Sequence, residues 1–96
     1  MNYRNRKLLN LANGAPCMLC GIEDKTIVAA HSNLLEHGKG KGIKSSDCFI
    51  AFLCNACHFD LDNDNRFNKT ERRSLFFQAM GKTYLYLWQN ELIKVA

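Results

Sequence analysis

The stretch Cys54-Asn55-Ala56-Cys57-His58, together with the earlier Cys17-Met18-Leu19-Cys20, decides the fold of this chain. Each Cys-x-x-Cys pair, here called a knuckle, places two thiolates on one tight turn, where both reach the same metal ion. Two knuckles supply the four ligands of a closed tetrahedral site, which is the preferred arrangement for structural zinc. His58 is left outside that filled shell and is available for another role. We therefore predict a structural Zn²⁺ held by Cys17, Cys20, Cys54 and Cys57.

The length and composition favour one small globular domain over residues 1–96. A chain of 96 residues buries only a modest core, which a metal ion would help to stabilise. Its 47% hydrophobic and 23% charged residues argue against disorder. The net charge of +4 is compatible with a polyanionic partner without requiring one.

No stretch has the length and apolarity of a transmembrane helix or of a signal-peptide core, so we expect a cytoplasmic protein with no membrane partner. Thiols stay reduced there, which favours metal binding over disulfides. The fifth cysteine, Cys48, lies in an apolar run and is expected to be buried. A c-type haem is the other interpretation of Cys54-x-x-Cys57-His58, but haem attachment needs export and leaves the first knuckle unexplained.

In the first half of the chain, the pattern predicts a short helix within residues 1–13 and two strands. The first strand covers 26–30 and ends at His31, and the second covers 48–53. Between them, residues 32–46 form a polar loop in which glycines alternate with lysines. His37 is expected to be a solvated residue of that loop.

In the second half, helices dominate the prediction. One helix should start near Asn55, and another should cover 69–89, with Asn68 and Glu71 forming a capping box at its start. A short terminal strand is expected at 92–95. Five large side chains on the long helix are expected to lie in the core: Phe76, Phe77, Met80, Tyr84 and Trp88.

The order of the motifs resembles that of the HNH, or ββα-metal, nucleases with paired zinc knuckles. That order is knuckle, strand, Ala30-His31, Gly/Lys loop, strand and Cys54-x-x-Cys57-His58. With Lys44-x-x-Asp47 and Asp62, the resemblance narrows to the small nucleases of lambdoid phages and prophages, the YbcO-like family. The resemblance implies an α+β fold with a ββα-metal core, a structural four-cysteine zinc and a long C-terminal helix.

The resemblance also implies roles for individual residues. His31 corresponds to the general base, and His58 to a ligand of a catalytic divalent metal such as Mg²⁺, Mn²⁺ or Ni²⁺. Two departures are present: Ala30 replaces the frequent metal-binding Asp, and the middle Asn has no equivalent at its usual offset. Asp47 lies near that offset and either orients His31 or caps a turn with neighbouring serines.

Asp62 follows His58 by one helical turn, so the two side chains could touch one ion. The alternative is a solvated acidic face formed with Asp60 and Asp64. Charge alone would allow five basic residues to hold a nucleic-acid backbone: Lys39, Lys41, Lys44, Arg72 and Arg73. The simpler interpretation of the lysines is an exposed, flexible loop.

The resemblance thus implies a metal-dependent HNH-type endonuclease that hydrolyses DNA, encoded by a phage or prophage and active in the cytoplasm of a bacterial host. The first alternative is a non-catalytic, zinc-stabilised nucleic-acid-binding module, which the Ala30 substitution favours. A zinc-stabilised protein-interaction domain is the second alternative, and it would leave the basic loop without a role.

Overall fold

Two short antiparallel strands, β1 (Val28–His31) and β2 (Ile50–Leu53), form the centre of the fold in the computed structural model, which describes residues 2–96. Their register places His31 opposite Ile50. Every residue of β2 is fully buried, which explains its uninterrupted apolar sequence, because a strand covered on both faces needs no polar alternation. The register brings His31 to the end of β1, where the chain leaves the sheet.

Both strands begin two residues later than the sequence pattern predicts. The main-chain N–H and the hydroxyl of Thr26 both donate to the Asp24 carboxylate, at 2.8 and 2.6 Å, and hold a turn ahead of β1. The Phe49 N–H donates to the Ser46 carbonyl at 3.0 Å and closes a turn ahead of β2. These local turns use main-chain N–H groups that strand pairing would need if β1 and β2 began two residues earlier.

Three α-helices accompany the sheet, α1 (Arg6–Asn10), α2 (Asn55–Asp62) and α3 (Lys69–Gln89), and a 3₁₀ helix covers Leu35–His37. All three were expected, and α3 has the predicted bounds. At its start the Asn68 side chain accepts the Glu71 N–H at 2.8 Å, while the Glu71 carboxylate accepts the Asn68 N–H at 2.9 Å. The chain is therefore a small α+β fold. Over residues 2–96, no helix combines the length and apolarity that crossing a membrane requires.

Main-chain groups on the outer edge of β2 form hydrogen bonds with residues outside the sheet. The hydroxyl of Thr83, on α3, accepts the Phe52 N–H at 3.0 Å and donates to the Ala79 carbonyl at 2.8 Å. The Phe52 carbonyl accepts the N–H of Met18, in the first knuckle, at 2.9 Å. Because an exposed strand edge would leave these groups unpaired, the contacts fix both α3 and the first knuckle against β2.

The face that α3 buries is narrower than the sequence predicts. Its buried positions are Ala79, Thr83 and Leu87, each one turn after the last. Phe77 and Trp88 were expected in the core but are 37% and 47% exposed, so the prediction is wrong for these two. The reason is that α3 packs on a strand of only four residues, which covers one stripe of the helix.

The terminal strand predicted at 92–95 is absent from the described part of the chain. Glu91 adopts a left-handed conformation with φ of 56°, and the Leu92 N–H donates to the Leu87 carbonyl at 2.9 Å. This turn closes the end of α3 and directs the chain away from the two-stranded sheet. A strand cannot form there because it has no neighbouring edge with which to pair.

Candidate functional site

The four cysteines of the two knuckles form one cluster, here called the four-cysteine cluster. All four sulfur atoms lie within 4.8 Å of one another, and the Sγ atoms of Cys20 and Cys54 are 3.7 Å apart. Tetrahedral zinc with Zn–S bonds of about 2.3 Å separates its sulfurs by about 3.8 Å, whereas a disulfide brings them to about 2.0 Å. The predicted ligand set is therefore confirmed as a cluster that could bind a structural metal such as zinc.

Local backbone geometry builds each knuckle. In the first, Gly21 has φ of 80°, a conformation that favours glycine, and its N–H donates to the Cys17 carbonyl at 2.9 Å. In the second, Cys54 is the N-cap of α2, and its sulfur accepts the Cys57 N–H at 3.5 Å. Cys48 lies outside the cluster and is half-buried, so its expected full burial is wrong.

The thiols of the cluster differ in their readiness to ionise. Burial acts to raise the pKa of Cys17, but main-chain hydrogen bonds, from Cys20 first, outweigh it and lower the pKa to about 6. Burial raises the pKa of Cys54 and of Cys57, and neighbouring thiols contribute to the increase. Because several like charges at this spacing repel, a bound cation is what would allow all four thiolates to form together.

A second polar group forms around His31, at the end of β1. Its Nε2 lies 2.8 Å from Oδ1 of Asp47, whose side chain is only 4% exposed. The same carboxylate accepts the N–H of Asn5 at 2.6 Å and the guanidinium of Arg4 at 3.0 Å. Of the two predicted roles for Asp47, the geometry favours contact with His31.

These contacts set the charge of Asp47 and the tautomer of His31. Burial acts to raise the pKa of Asp47, but hydrogen bonds from His31, Asn5 and Arg4 outweigh it and place that pKa below its ordinary value. An ionised carboxylate only accepts hydrogen bonds, so Nε2 of His31 must carry the proton. Its Nδ1 is then left as an acceptor.

The sequence analysis missed the N-terminal segment, residues 2–5, that supports this pair. Arg4 donates to the carbonyls of Ser45 and Lys44 at 2.5 and 2.7 Å, and Asn2 donates to the Lys44 carbonyl at 2.9 Å. The Asp47 N–H in turn donates to the Tyr3 carbonyl at 2.8 Å. The partners are about 40 residues apart along the chain, so no local pattern could have indicated them; the early arginine was the only signal.

His58 and Asp62 lie on adjacent turns of α2, as predicted. Nε2 of His58 is 3.1 Å from Oδ2 of Asp62, and both side chains are partly exposed. The other oxygen, Oδ1, accepts the amide of Asn33 at 3.3 Å. The sequence analysis also missed Asn33, although it follows His31 by two residues. Histidine nitrogen and carboxylate oxygen are thus offered side by side on one helix face.

His31 and His58 line the same cleft, here called the histidine cleft. It has a volume of about 190 Å³ and lies between the end of β1, α2 and the first turns of α3. Asp62, Arg72 and Arg73 also line it. The structure therefore brings together five of the site residues that the sequence predicts, from three separate elements.

The lysines of the Gly/Lys loop are divided between two environments. Lys39 and Lys44 line a pocket that adjoins the histidine cleft and shares His31 and His58 with it. Lys41 is exposed and lies outside that lining. The loop is folded at its tip, since Gly40 and Ile43 exchange two main-chain hydrogen bonds of 3.1 and 3.0 Å.

His37 is not the solvated loop residue that the sequence predicts. Its ring stacks on Phe49 with the ring centroids 3.9 Å apart, and its Nδ1 lies 2.6 Å from the Ser32 hydroxyl. The side chain is half-buried. Long-range packing of the loop against the start of β2 overrides the polar character of the surrounding sequence, so His37 supports the loop.

Comparisons of the chain with known protein families, with curated proteins and with solved structures each gave no match. Function must therefore be inferred from the chemistry of the four-cysteine cluster and of the histidine cleft.

Proposed function

We propose that this chain is a metal-dependent HNH-type endonuclease that hydrolyses DNA phosphodiester bonds, encoded by a phage or prophage and active in the bacterial cytoplasm. One observation carries the proposal: His31, bonded to a buried carboxylate, and His58, paired with Asp62, line one cleft. A structural histidine satisfied within the core would not need to share an open cleft with a second histidine. The resemblance of the ordered motifs to the HNH nucleases supports the same function.

In this proposal His31 is the general base. Its Nε2–H donates to Asp47, so Nδ1 accepts the proton of a water molecule that attacks the phosphorus. The Asp47 carboxylate holds the ring in this tautomer and stabilises the imidazolium that forms. A pair of this kind needs a carboxylate that stays ionised, which agrees with the lowered pKa of Asp47.

His58 and Asp62 would hold the catalytic divalent metal. Their nitrogen and oxygen donors fit Mg²⁺, Mn²⁺ or Ni²⁺, with water and the DNA phosphate completing the coordination. A divalent cation bound there would neutralise charge on the scissile phosphate. Arg72 and Arg73, from α3, and Lys39 and Lys44, from the adjoining pocket, would bind flanking phosphates by charge.

The alternative is a non-catalytic, zinc-stabilised module that binds nucleic acid. Ala30 is buried and offers no carboxylate next to His31. Within residues 2–96, the four-cysteine cluster is the only group of three or more candidate metal ligands from His, Cys, Asp and Glu. The pair formed by His58 and Asp62 is thus short of a full protein ligand set, and this observation favours the alternative.

Nicking of supercoiled plasmid by purified protein separates the two functions. The reactions contain Mg²⁺, Mn²⁺, Ni²⁺ or a chelator. His31→Ala should slow cleavage by about 10²- to 10⁴-fold while DNA binding persists, because only the general base is lost. His58→Ala should abolish cleavage, and excess divalent metal should restore part of the activity. His37→Phe is the matched control, since it removes the third histidine and keeps a ring that can stack on Phe49.

Two outcomes would contradict the endonuclease proposal. The wild-type protein could fail to nick any DNA with every metal while still binding it, which would leave the binding module. Alternatively, wild-type and His31→Ala proteins could nick at equal rates, which would assign the activity to a contaminant or to another base.

A further inference from the structure

The histidine cleft is larger and more apolar than a phosphate group requires. Phosphate is recognised by cations and N–H donors, and the histidine side of the cleft supplies these. The lining also contains six apolar residues: Ala30, Leu34, Leu53, Leu61, Phe76 and Phe77. The whole cleft, with its polar side included, measures about 190 Å³, which is comparable with an apolar cavity of about 150 Å³ that accommodates benzene.

The helix α3 presents cations and aromatic rings to the cleft in sequence along one face. Its five lining residues recur at the three- and four-residue spacing of a single helix face: Lys69, Arg72, Arg73, Phe76 and Phe77. The cations occupy the first two turns and the rings the next. One turn rises by about 5.4 Å, so a site for phosphate lies directly beside a site for a ring.

The rings and guanidinium groups of this face are also in contact with one another and with the neighbouring loop, where Arg73 pairs with Glu36 at 3.0 Å. Phe77 is 37% exposed, and its ring is held by the Arg73 guanidinium at 5.2 Å and by the edge of His37 at 5.8 Å. Nε of Arg72 is buried and has no hydrogen-bond partner in the described chain. A buried donor without a partner is uncommon, and this one belongs to a cation that lies one helical turn before Phe76.

We propose that the apolar end of the histidine cleft binds the base of an unpaired nucleotide next to the scissile phosphate. This inference rests on the endonuclease function and names its substrate class as single-stranded or locally unpaired DNA, such as bubbles and flaps. Bases of a continuous duplex are stacked inside it, and one must be extruded, at an energetic cost, before it can enter a side pocket. The cations beside the rings match the charge of the attached phosphates.

The test measures binding by the wild-type protein without added divalent metal, so that it does not depend on cleavage. The probe is a DNA oligonucleotide that carries one 2-aminopurine and is used as a single strand and as a duplex. A third probe has an abasic site in place of the 2-aminopurine, and its binding is measured through an end label. The single strand should bind more tightly than the duplex and change the 2-aminopurine fluorescence. Removal of the base should weaken binding by about 5-fold or more.

Substitutions test whether the base binds at the apolar end of the histidine cleft. Phe77→Leu should weaken binding of the single strand by about 5-fold or more and leave the duplex unchanged. Phe59→Leu is the matched control, because Phe59 is 56% exposed on α2 and lies outside the cleft lining, and it should change neither affinity. Phe77→Met, which is longer and more flexible than leucine, replaces Phe77→Leu if thermal unfolding shows that the latter is misfolded.

Equal affinity for single strand, duplex and abasic strand would overturn the proposal, whatever the variants do. A comparison of nicking on a bubble and on a matched duplex shows whether the base-binding proposal or the endonuclease proposal has failed. Selective binding without cleavage would support the pocket and reject the nuclease. Equal cleavage of bubble and duplex, unchanged by Phe77→Leu, would reject the pocket and keep the nuclease.

Discussion

The four-cysteine cluster and the histidine cleft are both built on the β1–β2 sheet, yet they differ in how they are closed. In the cluster, four sulfur atoms face one another within 4.8 Å and leave no position for another ligand. In the cleft, His58 and Asp62 are partly exposed and face a cavity of about 190 Å³. A filled shell suits a structural metal, whereas chemistry on a substrate needs an open coordination position.

The two regions also differ in where their supporting groups originate. Each knuckle is completed by residues within a few positions, such as Gly21 for the first. The pair formed by His31 and Asp47 depends on Arg4 and Asn5, about 40 residues away. A local structure tolerates changes elsewhere in the chain, while the cleft should respond to changes in a distant segment.

Loss of a cluster ligand should have the largest effect. Cys54→Ser removes one thiolate and the sulfur that caps α2, and metal-coupled folding in such sites contributes on the order of 10 kcal/mol. That is comparable with the whole stability of a small domain, about 5–15 kcal/mol. We expect loss of bound zinc, measured by elemental analysis, and loss of cooperative thermal unfolding.

Cys48→Ser is the matched control, since Cys48 is half-buried and outside the cluster, and it should retain both properties. A well-folded wild-type protein with no zinc, or a Cys54→Ser protein that unfolds like the wild type, would show that the cluster has no structural role.

Removal of the buried carboxylate of the cleft should have the next largest effect. Asp47→Asn weakens hydrogen bonds from His31, Asn5 and Arg4 to a charged acceptor, and we expect a loss of about 2 kcal/mol in the free energy of unfolding near neutral pH. Urea denaturation measures it. Asp64→Asn, at an exposed position of the same charge, should have almost no effect.

The same variant carries a pH dependence with a defined sign. The folded-state pKa of Asp47 lies below the ordinary value of 3.8, so its contribution to stability is complete above that pH and is lost as pH falls through the lower folded value. The stability difference between wild type and Asp47→Asn should therefore shrink below about pH 4. Thiolates of the four-cysteine cluster also protonate in acid, but they do so in both proteins, so the difference isolates Asp47. A difference that is constant with pH would contradict the contact.

Arg4→Ala should have a smaller effect, because the Arg4 side chain is 47% exposed and its ion pair is partly screened. We expect a loss of about 1 kcal/mol in stability and slower cleavage by a protein that still binds DNA. Arg4→Lys should recover only part of the rate, since one ammonium cannot reproduce the forked contacts with Asp47, Ser45 and Lys44. Arg6→Ala, at an exposed position of α1, is the control, and an equal effect there would show that only net charge matters.

Substitution of a single lysine should have the smallest effect, and it compares two positions of the same loop. Lys44 lines the pocket beside the histidine cleft, and Lys41 does not. Lys44→Gln should reduce the slope of log affinity against log salt concentration by about one, the value for one lost phosphate contact. Lys41→Gln should leave it unchanged. Equal slopes for the two variants would mean that the loop contributes a general positive field.

The features that the sequence predicted well are those with local causes. The knuckles, the capping box of Asn68 and Glu71, and α3 over 69–89 all follow from residues within one or two helical turns of each other. The placement of His58 and Asp62 on one helix face follows from the helical repeat. In each case the residues that form the contact are also neighbours in sequence, so their pattern specifies the geometry.

Tertiary structure alone decided the rest. The contact of Asp47 with Arg4 and Asn5, the stacking of His37 on Phe49 and the exposure of Phe77 and Trp88 all depend on which surfaces meet. The sequence by itself determined a small α+β fold, because side-chain periodicity and capping act over short separations. It also determined the metal-ligating cluster, because two Cys-x-x-Cys motifs identify the ligands of one ion even though they are 34 residues apart. Which side chains share the histidine cleft was decided by the packing of distant segments, because burial and long-range hydrogen bonds arise only when those segments come together.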